Sequence, residues 1–162
     1  MSQLLPFMRY LDTVGDGSGT TNAIGDYSGA TTAFKIVCAS GSGMTIQSLL
    51  IHVSGSSNFT LTGYGNGVAL TNGVTLQANI GGVSYVFNST FPIKSNDDWA
   101  HISPSINHLT FVGSGDSLVI PFLVADFGIP LVLGLGDSLQ VNLHDSFTGL
   151  VSQHFIAKGY TN

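Results

Sequence analysis

The sequence predicts an all-β protein. The expected architecture is a two-sheet antiparallel sandwich of jelly-roll type, with about eight to ten strands and an irregular N-terminal arm. Three observations carry that expectation. Only 8% of the 162 residues are charged, and the nine acidic side chains are all Asp, with no Glu anywhere. The chain holds 21 Gly, 19 Ser, 14 Thr and 10 Asn, a bias against the Glu-, Lys-, Arg-, Ala- and Leu-rich composition of bundles and coiled coils. From residue 33 onward, strand signals recur about every 8–12 residues with turn residues between them, the spacing of a sandwich or barrel. A hydrophobic content of 43% is too high for a disordered chain.

The elements follow in order. Residues 1–32 are rich in Gly, Asp and Thr, lack sustained periodicity and are expected to form the arm; residues 33–162 form the sandwich domain. Ala33–Cys38 reads as a strand closed by the turn Ala39–Gly43. Met44–Val53 follows, with Ile46, Leu50 and His52 expected on one face and Leu49, Ile51 and Val53 on the other. Asn58–Thr62 and Val68–Leu70 are short strands, the second meeting the tight-turn dipeptide Asn72-Gly73. Val74–Ile80 alternates with Val74, Leu76, Ala78 and Ile80 on one face, and Gly81-Gly82 turns it into Val83–Phe87. Asn96–Ala100 has the residues to cap a single helical turn. Strands resume at Asn107–Val112 and Ser117–Ala125, where Pro121 removes a ladder donor and so predicts an edge or a bulge. Ile129–Leu133 is short. Leu139–His144 points Leu139, Val141 and Leu143 inward, and Val151–Tyr160 points Val151, Phe155 and Ala157 inward. An immunoglobulin-like sandwich is the alternative arrangement of the same strands.

Composition also bounds function. Four Lys plus Arg and a net charge of −5 leave no basic face for nucleic acid. No run of 18 apolar residues exists to make a membrane-spanning helix. The opening Met1–Arg9 lacks a basic region followed by an apolar run, so no secretory signal is expected and synthesis is placed in a cytoplasm. Cys38 is the single cysteine, which excludes an internal disulfide and a Cys-based zinc site; it is expected as a small apolar residue in a strand. A charge-poor surface suits a subunit covered by neighbours.

Several motifs invite a chemical reading. Gly-Asp-Ser-Leu occurs at 115–118 and 136–139, the tetrapeptide for which a class of lipases and esterases is named. Their downstream Asp-x-x-His is matched only by Asp98–His101, which lies upstream of both copies, and their fold alternates strands with helices. A turn entering a strand is therefore the better reading: Gly for positive φ, Asp for an Asx-turn, then β residues. Asp12–Gly19 has the alternating oxygens and glycines of a calcium loop, but Ala23 stands where an EF-hand places its Glu. His52, His101, His108, His144 and His154 are spread along the chain, with His144 and His154 on two late strands that are candidates to be neighbours. Asn58-Phe-Thr60 and Asn88-Ser-Thr90 match the glycosylation sequon by chance in a chain of this composition. Trp99, Phe91 and Tyr64 could form a sugar-stacking platform, but fewer than two acidic or amide partners can be assigned to it, so core or subunit contact is the favoured reading. No nucleophile–base pair converges, so no enzyme activity, metal or cofactor is expected.

The N-terminus carries the strongest signal. Leu4, Leu5, Pro6, Phe7, Met8 and Tyr10 precede the expected strands, and an apolar segment outside the regular core must cover a sheet or pack on a partner. Leu4, Leu5, Phe7, Met8 and Tyr10 are the candidate partner-binding residues, and deletion of residues 1–12 is expected to abolish binding while leaving the sandwich folded.

Residues 8–12 (MRYLD), 15–20 (GDGSGT), 22–28 (NAIGDYS), 69–74 (ALTNGV), 94–99 (KSNDDW) and 145–150 (DSFTGL), with His154-Phe155 and Gly159-Tyr160, together resemble a group of small tailed-phage virion-associated proteins of capsid decoration (cement) type. The resemblance covers most of the chain. It implies a phage structural protein without fixing the part of the particle. The leading expectation is a capsid decoration protein on the capsid exterior, bound to the major capsid protein and assembled as a homo-oligomer, a trimer. A tail, neck or baseplate component and a carbohydrate- or receptor-binding module are the alternatives.

Overall fold

The computed structural model describes residues 4–55, 71–72, 74–86, 110–112, 115–121 and 131–161. Among them every regular element is a strand: β1 (Leu5–Tyr10), β2 (Thr32–Val37), β3 (Met44–Gly55), β4 (Val74–Ile80), β5 (Val83–Val86), β6 (Thr110–Val112), β7 (Gly115–Pro121), β8 (Leu131–Leu133), β9 (Ser138–Leu143) and β10 (Leu150–Thr161). All pairings are antiparallel. The larger sheet runs β1-β10-β3-β7-β6, with β8 also on β3, and the smaller runs β2-β9-β4-β5. The protein is thus an all-β, two-sheet sandwich. The expected strands at 58–62 and 68–70 and the helical turn at 96–100 lie outside the described residues.

The core lies between the sheets. The larger sheet contributes Met44, Ile46, Leu49, Ile51, Val53, Leu131, Leu133, Phe155 and Ala157; the smaller contributes Phe34, Ile36, Val74, Leu76, Ala78, Leu139, Val141 and Leu143. Phe34 of one sheet meets Phe155 of the other with ring centroids 5.8 Å apart. The period-two expectations for β4 and β9 hold at all of these positions, with Ile80 partly buried against the same cluster. The Gly81-Gly82 hairpin also holds, with φ of 58° and 80° at its two glycines, as a tight turn with two left-handed positions requires. Cys38 is buried just beyond β2. Pro121 lies opposite Ser48 at the end of β7, beyond Ser117, the last residue that β6 pairs among the described residues.

Two bulges shift the expected facing. Along β3 the buried positions are 44 and 46, then 49, 51 and 53. The register with β10 slips between Lys158 and Gly159, which pair with Ser48 and Ile46. The extra residue, Gln47, changes the phase, so Ile46 faces inward with Leu49 rather than outward with Leu50 and His52. A second slip between Leu150 and Ser152 leaves Val151 unpaired and 56% exposed, where inward was expected. Gly159 sits at the first bulge. A Cβ there would lie 2.9 Å from the Thr45 carbonyl carbon and closer still to its oxygen.

The N-terminal segment corrects the expectation that it precedes every sandwich strand. Residues 5–10 are the edge strand β1, paired from Leu5↔Thr161 to Tyr10↔Ile156. Both faces of β1 are largely exposed, so the segment shows no period-two signal, and its partner lies about 150 residues away in sequence. Residues 12–31 do run irregularly, with isolated bridges only at Asp12↔Lys35 and Asp26↔Ser146. This stretch stitches the sheets together. The Leu11 N–H donates to the Phe155 carbonyl of the larger sheet (2.8 Å), while Asp12 exchanges backbone bonds with Lys35 of the smaller (3.0 and 2.7 Å). The segment then returns to β10. The buried Gln153 donates its N–H to the Asn22 side-chain carbonyl (2.8 Å) and its amide to the Ala23 carbonyl (2.8 Å), and its backbone carbonyl accepts from the Ala23 N–H (2.8 Å).

The outer face of the smaller sheet carries a closed ring of side-chain amides. Gln77 donates to Asn79 (2.9 Å), Asn79 to Gln140 (2.9 Å), Gln140 to Asn142 (2.8 Å) and Asn142 back to Gln77 (3.2 Å). Asn142 is only 7% exposed. Asn142→Ala should therefore cost about 1–2 kcal/mol, because Gln140 and Gln77 each lose a partner. Urea unfolding would measure this. In a double-mutant cycle, Asn142→Ala with Gln77→Ala should cost clearly less than the sum of the single changes.

Candidate functional site

Two surface features stand out: the β1 edge and a polar pocket beside the smaller sheet. Among the described residues β1 pairs only with β10, so one row of its backbone N–H and C=O groups faces away from the sheet, the arrangement that admits a further strand. Leu4, Leu5 and Met8 are 57%, 57% and 64% exposed along it. Phe7 and Tyr10 turn to their own fold instead. Phe7 packs against the core cluster opposite Gly159, with the Arg9 guanidinium 5.7 Å from its ring. Tyr10 stands edge-on to His154, centroids 5.7 Å apart. Three of the five candidate partner residues are thus presented outward and two are not. A groove of about 410 Å³ opens beside the strand between Leu5, Arg9, Met44 and the Ser40–Gly43 turn.

The second feature is an open pocket of about 460 Å³ lined by Tyr27, Gly29, Thr31, Asn72, Thr75 and His144, among others. The His144 ring is held at both nitrogens: Nδ1 lies 3.0 Å from the Thr31 hydroxyl and Nε2 2.9 Å from the Thr75 hydroxyl. Asn72 is anchored by its N–H to the carboxylate of the buried Asp145 (2.9 Å) and by its amide to the His144 carbonyl (3.4 Å). Tyr27 is set edge-on against Phe34 and tilted against Phe147, and burial pushes its phenol above the ordinary tyrosine range. The pocket residues lie on three separate segments, so no motif in the sequence marks it.

The other sequence-predicted groups fall as follows. In the second Gly-Asp-Ser-Leu, Gly136 has φ 85° and the Asp137 carboxylate accepts N–H bonds from Gly134 and Gly81 (both 2.8 Å). Ser138 then begins β9, buried, its hydroxyl accepting from Asn79 (3.2 Å). This is a turn entering a strand. The first copy opens β7. In Asp12–Gly19 the buried Asp12 carboxylate accepts from the Gly15 and Gly17 N–H groups, with both glycines at positive φ. Those oxygens are occupied by donors, the reverse of cation ligation. Asp16 and Asp26 are held below the usual carboxylate range by the side chain and N–H of Ser18 and Ser28 respectively.

His144 and His154, expected as possible neighbours, stand in different parts of the fold, one following β9 and the other on β10. His154 is instead the cross-strand partner of His52, rings stacked at 6.3 Å. Among the described residues no group of three His, Cys, Asp or Glu converges as a metal site would, and no helix is long and apolar enough to cross a membrane. Trp99, Phe91, Tyr64, His101, His108 and both sequons lie outside the described residues.

No protein-family model and no curated protein matches the chain. Among solved structures, a crystal structure of an exo-β-1,3-galactanase from Phanerochaete chrysosporium with galactose is similar at a TM-score of 0.32 and 13% identity. The match covers 98% of this chain and 30% of that one, so the chain spans under a third of that protein's length, and a likeness of this size decides neither fold nor activity.

Proposed function

We propose that the protein is a structural subunit of a tailed-phage particle: a capsid decoration protein that bridges major capsid protein subunits on the outside of the head. The observation that carries this reading is the β1 edge, an open strand bearing Leu4, Leu5 and Met8 outward. The resemblance of residues across most of the chain to virion-associated phage proteins points the same way. The nesting of the strands adds support. First pairs with last (β1 with β10) and second with last but one (β9 with β2), which we read as the order of a jelly roll, an architecture common in capsid proteins. The action is mechanical. An interface of ordinary size, about 1,600 Å² per junction, repeated over a shell, resists internal pressure without any single strong contact. A trimer places three such edges around one capsid symmetry point. A neck, tail or baseplate subunit would use the same edge at low copy number.

Quantitative mass spectrometry of purified particles tests the role. A copy ratio to the major capsid protein near one, or another large fraction, is the expected result. A ratio near one in a hundred would move the protein to the neck or tail, and absence from the particle would overturn the structural reading. The triple variant Leu4→Ser, Leu5→Ser, Met8→Ser should fold normally yet bind heads at least tenfold more weakly in a co-sedimentation assay.

A further inference from the structure

We propose that the pocket around His144 is a binding site for a neutral sugar ring. The inference stands apart from the assembly role, since the pocket shares no residue with the β1 edge. Among the described residues its lining includes no Asp, Lys or Arg. Phosphate or carboxylate ligands would therefore find no fixed cation there, and amines no fixed anion. Its volume of about 460 Å³ lies in the range of small-molecule pockets and exceeds what a single sugar ring needs.

The hydrogen-bonding chemistry selects the ligand class. A neutral imidazole donates from one nitrogen and accepts at the other. Of the two threonine hydroxyls that hold the ring, one accepts from it and keeps its own proton to give. The other donates to the ring and keeps its lone pairs. Exchanging the tautomer exchanges the two threonines and leaves the pair unchanged. With the imidazole neutral, the pocket therefore presents one hydroxyl with a proton to give and one with lone pairs to accept, on opposite sides of the ring. The hydroxyls of a sugar ring, each both donor and acceptor, can bond to either threonine whichever tautomer the imidazole takes. The raised phenol of Tyr27 keeps its proton and adds a donor, and Asn72 adds an amide at the rim. The Tyr27 ring, braced by Phe34 and Phe147, provides an apolar wall for the C–H edge of a sugar.

The test is an NMR titration of ¹⁵N-labelled protein with glucose, galactose, mannose and N-acetylglucosamine, with inorganic phosphate and glycerol as controls. At least one sugar should produce saturable shifts at Thr31, Thr75 and His144, with a dissociation constant in the millimolar range usual for a dozen heavy atoms. The Thr31→Val, Thr75→Val variant should weaken binding at least tenfold, and the exposed Asn72→Ala several-fold, which keeps the test open should the valine pair misfold. The Leu4, Leu5, Met8 serine variant should bind as the parent does. No saturable shift with any of the four sugars, an equal response in the variants, or a response to phosphate or glycerol alone would overturn the assignment.

Discussion

Gly159→Ala should lower the stability of the protein by about 3 kcal/mol, although it adds a single methyl group and improves β propensity. The methyl would enter the space of the Thr45 carbonyl and the Ile46 Cα, both backbone, so no side-chain rotation relieves the contact. Overpacking against fixed neighbours costs about 1–3 kcal/mol, and backbone neighbours put this site at the top of that range. For a chain of this size that is a fall of about 6–12 °C in Tm, readable by calorimetry or thermal circular dichroism. Gly29→Ala and Gly41→Ala are the controls. Neither glycine has positive φ, and a Cβ at either meets nothing within 4 Å, so both should leave Tm unchanged or slightly raised. A Gly159→Ala protein as stable as the parent would mean that the β3–β10 bulge is not as described.

Removal of residues 1–12 should cost more, about 4–6 kcal/mol, out of a total stability of about 5–15 kcal/mol for a domain. The sequence alone leads to the opposite expectation, that the sandwich survives intact. The difference lies in three residues. Leu11 is fully buried, worth about 2–3 kcal/mol by area. Phe7 covers part of the core beside Gly159. Asp12 bridges to Lys35 and caps the N–H groups of Gly15 and Gly17. Changes at the exposed Leu4, Leu5 and Met8 should instead stay within about 0.5 kcal/mol each. Guanidinium unfolding of the truncated and triple-serine proteins separates the two contributions. A truncated protein with native stability would show that β1 is an appendage.

The parts of this fold legible in the sequence are those where period, turn and face agree locally. Val74, Leu76 and Ala78, the Gly81-Gly82 turn, and Leu139, Val141 and Leu143 are of this kind. The misplaced residues each have a long-range cause. Ile46 and Val151 take unexpected faces because bulges insert one residue, and a bulge is a property of the pairing of two strands, which period-two counting along one of them does not register. β1 shows no alternation because an edge strand wet on both faces has no need of it. At the candidate sites, Leu4, Leu5 and Met8 were readable as apolar residues without a home. The turn of Phe7 and Tyr10 into their own fold was not, since it depends on Gly159 and His154 about 150 residues away. The His144 pocket draws Thr31, Asn72, Thr75 and His144 from distant segments and follows no spacing rule.

The nesting of the strands has a consequence for how the protein is made. β10 lies between β1 and β3, and β9 between β2 and β4. The last two described strands are therefore interior to the two sheets. Of the eight pairings among the described residues, only β4–β5 and β6–β7 join strands that follow one another in the described order. β2 finds its partner only when β9 (Ser138–Leu143) has been made, and β1 only when β10 (Leu150–Thr161) has. Folding of this kind is slow for its size and waits on translation rather than accompanying it. A fragment ending before β10 can hold the four strands of the smaller sheet but lacks the strand that joins β1 to β3, and with it Phe155 and Ala157 of the core.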